Sequence, residues 1–336
     1  MPEQLSDTLH FTKNWQQQLA EAFNNIEDLC HYLHLSIQDL PVSETAAKSF
    51  PLRVPLSFAA SMQKGNPNDP LLRQVLPIKE ELNIYPGFSN DPVGDLPSAA
   101  LTGVLHKYHG RVLLINIGSC AINCRYCFRR NFPYSDLQLS KQHENAAINY
   151  INDHKDISEV ILSGGDPLLL SDARLTNLIQ QLSTIKHLKR IRIHSRLPIV
   201  LPARITEQFI NTLTQSTKKI VIVVHCNHAN EINSRVITGL NLLHNNGITL
   251  FNQSVLLKGV NDNANVLCEL SEQLFKRGII PYYLHVLDKA TGTGHFEVSE
   301  STAIALIKQI QNILPGYLVP KLVTEQAGTL SKQPIY

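Results

Sequence analysis

The stretch RVLLINIGSCAINCRYCFRR (111–130) decides how this chain is read. Its first seven residues, 111–117, form an apolar, β-branched run of the kind that fills a strand buried on both faces of a parallel sheet. Gly118 breaks the run, and cysteines follow at 120, 124 and 127. Thiolates at i, i+4 and i+7 on one loop can converge on a metal centre, and soft sulfur selects zinc, copper(I) or iron–sulfur. A structural zinc site is a closed tetrahedron, and no fourth Cys or His follows at a typical zinc spacing. An electron-carrier cluster normally has four cysteines. Three therefore argue for a [4Fe-4S] cluster on Cys120, Cys124 and Cys127, with one iron left for a substrate or cosubstrate.

Downstream the same texture repeats. Apolar runs at 159–163, 190–195, 219–225, 248–257 and 281–287 predict five further strands. Amphipathic patterns at 143–154, 172–185, 206–216, 230–245, 264–277 and 299–313 predict a helix after each strand. Six βα units in a row mean an open or partial barrel, or a doubly wound sheet. Chemistry in such folds gathers at the C-terminal ends of the strands. Polar or glycine-rich segments mark them: GSCAINC follows the first strand, GGDP the second, HSR ends the third, HCNH ends the fourth, NQS lies in the fifth and LDKATG follows the sixth.

Upstream, helical periodicity runs through 15–33, followed by a Pro-, Asn- and Asp-rich stretch at 65–97 with the turn clusters KGNPNDP and PGFSNDP. From Gly316 onward no periodicity is clear. The expected organisation is a helical and irregular N-terminal region (1–100), a core barrel (101–315) and a C-terminal tail (316–336).

The whole chain has 336 residues, 43% of them hydrophobic, and thirty basic against twenty-eight acidic side chains. That balance gives no electrostatic case for nucleic acid or a membrane surface. No apolar run is long enough to span a bilayer, and the polar N-terminus lacks the features of a signal peptide, so a cytoplasmic location is expected. Six cysteines in such a chain point away from a disulfide framework. Cys30, Cys226 and Cys268 stand alone and read as buried small apolar side chains.

The C-x3-C-x2-C spacing, with Tyr126 before the last cysteine, resembles the signature of radical S-adenosylmethionine (SAM) enzymes. The resemblance implies a partial (β/α)6 TIM-like barrel of the radical SAM type, with SAM chelating the open iron and cleaved to a 5′-deoxyadenosyl radical. SGGDP (163–167) by itself is a tight βα turn whose glycines let the backbone approach a ligand. Beside this cysteine motif it resembles the superfamily's Gly-Gly-acid loop, which implies that Gly164, Gly165 and Asp166 hold the amino group of SAM. Ser195 and Arg196, at a strand's end, are further SAM contacts by the same resemblance.

Within that superfamily the chain resembles the lysine 2,3-aminomutase family from about residue 64 to 332. The matching landmarks include KGNPNDPLLRQVLP, CRYCFRR, SGGDPLLL, HSRLPIVLPARIT, HCNHANEI, NQSVLLKGVND, PYYLHVLD and GYLVPKL. CFRRNFPY, YYLHVLDKATG and a chain ending four residues after Lys332 are most like the short members. Those supply (R)-β-lysine for modifying bacterial elongation factor P, which implies a link to the ligase that loads it. The implied activity is conversion of (S)-α-lysine to (R)-β-lysine by a 5′-deoxyadenosyl radical and a 1,2-amino shift assisted by pyridoxal phosphate (PLP). A flavodoxin- or ferredoxin-type protein is implied as electron donor.

Residue by residue, the offset from Val319-Pro320 makes Lys332 the catalytic, PLP-carrying lysine. The family's Gly-rich run has shrunk to Gly328 and Gln333 replaces its threonine. Arg111 and Gln253 match PLP contacts, and Arg129 matches the clamp on the substrate α-carboxylate. Asp288 and Glu325 match the carboxylates that receive the ε-ammonium. Lys107 stands where relatives carry another arginine. His225, Asn227 and His228 stay open between cofactor contacts and structural roles. The alternatives are a radical SAM aminomutase acting on another amino acid and, from a different class, a zinc-stabilised binding module.

Overall fold

The computed structural model describes residues 10–336, so the first nine residues of the expected N-terminal region lie outside the described part. Ten strands form one mixed sheet in sequential order: β1 (Ala99–Leu101), β2 (Val104–Tyr108), β3 (Arg111–Ile117), β4 (Glu159–Gly164), β5 (Arg190–Ser195), β6 (Lys219–His225), β7 (Thr249–Val255), β8 (Ile279–His285), β9 (Lys321–Thr324) and β10 (Gln333–Pro334). Neighbours from β3 to β9 run parallel, and the pairs at the two ends are antiparallel. The sheet curls around one cavity without its edge strands meeting, which makes it a partial barrel.

All six expected strands form, each followed by an outer helix. The helices start where a short polar side chain can accept from orphan backbone N–H groups. Ser171, Thr206, Asn233, Asn263 and Ser299 each cap one of them. In the helix Asp172–Thr184, Leu175, Leu178, Ile179 and Leu182 are buried at one-face spacing. Val160 and Leu162 of β4 and Ile191 and Ile193 of β5 meet that helical layer in the main core.

Two expectations change. The run 15–33 is two helices, Trp15–Ala20 and Ile26–Tyr32, separated by an antiparallel bridge from Phe23 to Val54. Asn25 caps the second helix, so the periodicity restarts there. Trp15, Leu29, Leu33 and Leu71 share one core with the barrel, so the N-terminal region packs on it directly.

The tail also carries structure. β9 adds to β8 with Leu284 opposite Leu322 and His285 opposite Val323, and β10 folds back with Gln333 opposite Thr324. Strands of four and two residues are too short for a period-two pattern to stand out. Leu318 and Leu322 anchor this edge in a second core with Leu284, Leu306 and Ile310. In the hairpin register, Glu325 and Lys332 are the next pair across from each other. No helix of the described residues is long and apolar enough to cross a membrane.

Candidate active site

The cysteine loop is framed from three sides. Gly165 N–H donates to Ile117 O at 2.7 Å and Asp166 N–H to Ser119 O at 2.9 Å, which ties the loop to the end of β4. A side chain at Gly165 would stand 2.2 Å from Ser119 O, and Gly164 has φ +111° with Ile117 O in the way. The two glycines therefore serve the close approach of this loop to the cysteine loop. On the second side, Arg125 N–H donates to Gln74 O at 2.8 Å and Asn123 N–H to Arg53 O at 3.0 Å.

The third side is a buried charge cluster. Arg125 is fully buried and bonds Glu81 through Nε at 2.8 Å and Nη2 at 2.5 Å, while Arg130 Nη2 reaches the same carboxylate at 2.8 Å. The N-terminal region thus holds the cysteine loop through one carboxylate. Breaking a buried pair from one side costs about 3–5 kcal/mol because the partner's charge is left uncompensated. Glu81→Ala is expected to lose stability of that order in chemical denaturation, and to lose iron before it loses its far-ultraviolet circular dichroism.

A cavity of about 260 Å³ opens over this loop and is lined by Cys120, Cys124 and Cys127. Burial and the neighbouring sulfur push the Cys127 thiol up to about 11, and burial raises Cys120 as well. Cys124 Sγ accepts from Arg196 Nη1 at 2.7 Å. Arg196 is held in turn by Gln74 Oε1 at 2.7 Å and Glu231 Oε2 at 3.2 Å. Asp166 fastens β4 to the end of β5: its oxygens accept from Ser195 Oγ at 2.7 Å and the backbone N–H of Arg196, Leu197 and Leu168. Burial lifts its carboxyl to about 6 against those four bonds.

The inner face of the barrel is polar where the outer face is apolar. His194, His225, Gln253 and His285 project into the cavity from β5, β6, β7 and β8. Gln253 Nε2 and His225 Nε2 are hydrogen-bond partners. Burial, reinforced by Arg196 and Lys332, lowers His225 to about 3 and keeps it neutral. His194 and His285 are lowered too, chiefly by burial, and the Nε2 atom of each is buried without a hydrogen-bond partner.

A line of alternating charges crosses the same cavity. Asp95 Oδ2 accepts from Arg129 Nε at 2.9 Å and Nη2 at 2.8 Å, and Lys107 Nζ lies 4.0 Å from Asp95. Lys107 donates to Glu325 Oε1 at 2.8 Å, and Lys332 donates to Glu325 Oε2. Burial works against the Glu325 charge, yet the two ammonium groups outweigh it and hold its carboxyl well below the usual range. Asp288 has no ion-pair partner among the described residues. Burial raises it to about 7, with Lys332 opposing and Glu325 and Asp95 adding to the rise. Arg111 lines the cavity with its guanidinium over the Tyr108 ring at 4.7 Å.

Comparison with known proteins then decides the family. A protein from Escherichia coli strain K12 named L-lysine 2,3-aminomutase is 48% identical over 96% of this chain and 94% of its own length. One of the same name from Buchnera aphidicola is 46% identical over 95% and 94%. A third, from Clostridium subterminale, is 34% identical over 96% of this chain and 77% of its own. The chain belongs to the L-lysine 2,3-aminomutase family. A model described as a 4Fe-4S single cluster domain matches residues 109–197, from just before β3 to just past β5 and including the cysteine loop. A solved structure of the radical SAM methyltransferase TsrM from Kitasatospora setae covers 53% of this chain and 36% of its own at 11% identity, with a TM-score of 0.36, too loose to carry an argument.

This aminomutase is therefore an isomerase that uses radical SAM chemistry on a [4Fe-4S] cluster, and the binding-module reading falls. Its donor set fits the cluster. Among the described residues no three His, Cys, Asp or Glu side chains close on a single ion. The three cysteines line one wall of the cavity, where each thiol would hold one iron of the cluster. Binding iron also displaces the protons that burial keeps on Cys120 and Cys127.

Every site residue expected from the sequence lines the one cavity: the cysteines, Gly164, Gly165, Asp166, Ser195, Arg111, Arg129, Gln253, Asp288, Glu325 and Lys332. Lys107 and His225 join them, whereas Asn227 and His228 do not. Asn227 latches β7 by accepting from Val255 N–H at 2.9 Å, and His228 Nδ1 accepts from Asn230 N–H at 3.1 Å, so both resolve as structural. Asp95, His194 and His285 were missed; Asp95 lies thirty-four positions from Arg129 in a turn-rich segment, indistinguishable there from any turn-forming aspartate.

Proposed function

We propose that this aminomutase is a cytoplasmic enzyme converting L-lysine to (R)-β-lysine, with PLP carried on Lys332. The observation that supports this most is that the tail hairpin brings Lys332 and Glu325 into the cavity that holds the three cysteines and Asp288. When bound, the cluster with SAM supplies a hydrogen-abstracting radical, and PLP supplies a π-system to the migrating nitrogen. The unpartnered Nε2 atoms of His194 and His285 fit a polar cofactor lodged among the strand ends. Arg111 and Gln253 complete that pocket, with Arg111 placed for an anionic group.

Arg129 orients the substrate through its α-carboxylate, using guanidinium donors beyond those on Asp95. Asp288 and Glu325 receive the side-chain ammonium and thereby reject neutral side chains. Gly164, Gly165, Asp166 and Ser195 shape the SAM end. By region, the described part of 1–100 frames the cysteine loop, 101–315 forms the core and 316–336 brings the PLP lysine. The product serves the modification of elongation factor P through a ligase, and a flavodoxin- or ferredoxin-type protein supplies the electron.

A substrate panel tests this reading. Only L-lysine should be consumed at an appreciable rate, and chiral separation should give (R)-β-lysine; turnover of glutamate in its place would overturn it. Asp288 adds a pH signature. Its carboxyl, raised to about 7, is neutral below that pH and acquires charge above it. KM for lysine should therefore fall as pH rises from 6 to 8, by roughly the tenfold that one lost ion pair allows. Asp288→Asn should flatten that dependence and leave KM high throughout.

A further inference from the structure

We propose that Lys332 and the substrate's side-chain ammonium compete for the Glu325 carboxylate, so that joining Lys332 to the cofactor opens the recognition site. The inference rests on the reading that Asp288 and Glu325 receive that ammonium. Both oxygens of Glu325 are engaged, Oε1 by Lys107 and Oε2 by Lys332. The pairing is built into the fold, because Thr324 and Gln333 are register partners and Glu325 and Lys332 follow them across the turn. Lys332 ends in the same ammonium on the same four-carbon stem as lysine. Any geometry at Oε2 that suits one suits the other.

The charges make the exclusion strong. Lys107, Arg129 and Lys332 face Asp95, Asp288 and Glu325 in one cavity. While Lys332 is an ammonium, both oxygens of Glu325 face a cation, and the carboxylate offers little attraction to another one. Condensing a primary amine with an aldehyde forms a C=N bond, releases one water and requires the ammonium to give up a proton. The charge that engaged Oε2 leaves with that proton, and that oxygen is left without its cationic partner. Lys107 does not fill the place, because it also donates to Val93 O and faces Asp95. Substrate selection is thereby coupled to cofactor loading.

The test uses cluster-loaded protein without PLP and measures amino-acid affinity by calorimetry. Lys332→Met should bind L-lysine at least about tenfold more tightly than the parent, the scale of one charge-assisted contact. L-norleucine, with the same stem and no ammonium, should bind both proteins equally. Adding Glu325→Gln to Lys332→Met should return lysine affinity to the parental value. The proposal is overturned if Lys332→Met binds lysine no more tightly than the parent, or if norleucine shares the gain. If PLP-loaded parent makes β-lysine while Lys332→Met shows no gain, the competition is wrong and the functional reading stands. A parent that makes no β-lysine overturns the reading itself.

Discussion

Changing Cys120, Cys124 or Cys127 to Ala should leave a folded protein without its broad thiolate-to-iron absorption and without measurable isomerase activity. The fold should survive because the loop is held by backbone bonds and by Glu81. Gly165 to Ile117, Asp166 to Ser119 and Arg125 to Gln74 need no thiol. The cluster should not survive. Two sulfurs leave two irons of the cube without a protein ligand, and no fourth cysteine lines the cavity to substitute, since Cys30, Cys226 and Cys268 are buried elsewhere. Activity is expected to fall by more than about 10³-fold, because the cofactor performs the difficult step and no residue replaces it. Iron and sulfide analysis after anaerobic reconstitution reads the first part. Full iron content in all three variants would contradict it.

Lys332→Ala should separate the two cofactors. The variant keeps the cysteine loop, which lies at the end of β3, while the lysine arrives from a hairpin at the other side of the sheet. Iron content and SAM binding should match the parent. The visible absorption of protein-bound PLP should vanish, and β-lysine formation should drop by more than about 10³-fold, as for loss of an activated nucleophile. The substitution also frees the Oε2 atom of Glu325, so its carboxyl should move back toward the ordinary range, with Lys107 alone on Oε1. An unchanged PLP spectrum in this variant would remove Lys332 from the site. Stability should fall modestly, because this half-buried pair is broken from one side while Glu325 keeps Lys107.

What the sequence disclosed follows from how local each feature is. The strand-then-cysteine run at 111–127 states its own chemistry, because ligand spacing on one loop is a local property. The six βα units are legible for the same reason: burial of one helical face and of both strand faces repeats within each unit. The polar inner face was half visible, since RIRIHS alternates whereas KIVIVVH does not. Pairings between distant segments left no local trace. Glu81 meets Arg125 and Arg130 across more than forty residues, and Asp95 meets Arg129 across thirty-four. Nothing in their neighbourhoods separates these carboxylates from surface ones. The tail was opaque for another reason. β9 is four residues long, and its contribution is a register that sets Glu325 opposite Lys332. Position relative to Val319-Pro320 pointed to Lys332, but only the hairpin shows what its ammonium touches.

One cavity, walled by the cysteine loop, the strand ends and the tail hairpin, gathers the residues proposed for the lysine isomerisation. Anaerobic incubation of the reconstituted protein with L-lysine, SAM, PLP and a low-potential reductant tests it most directly. β-Lysine should accumulate, and omission of SAM, PLP or reductant should each abolish it. Fully loaded protein, with iron, sulfide and PLP all measured, that returns only α-lysine would contradict the account.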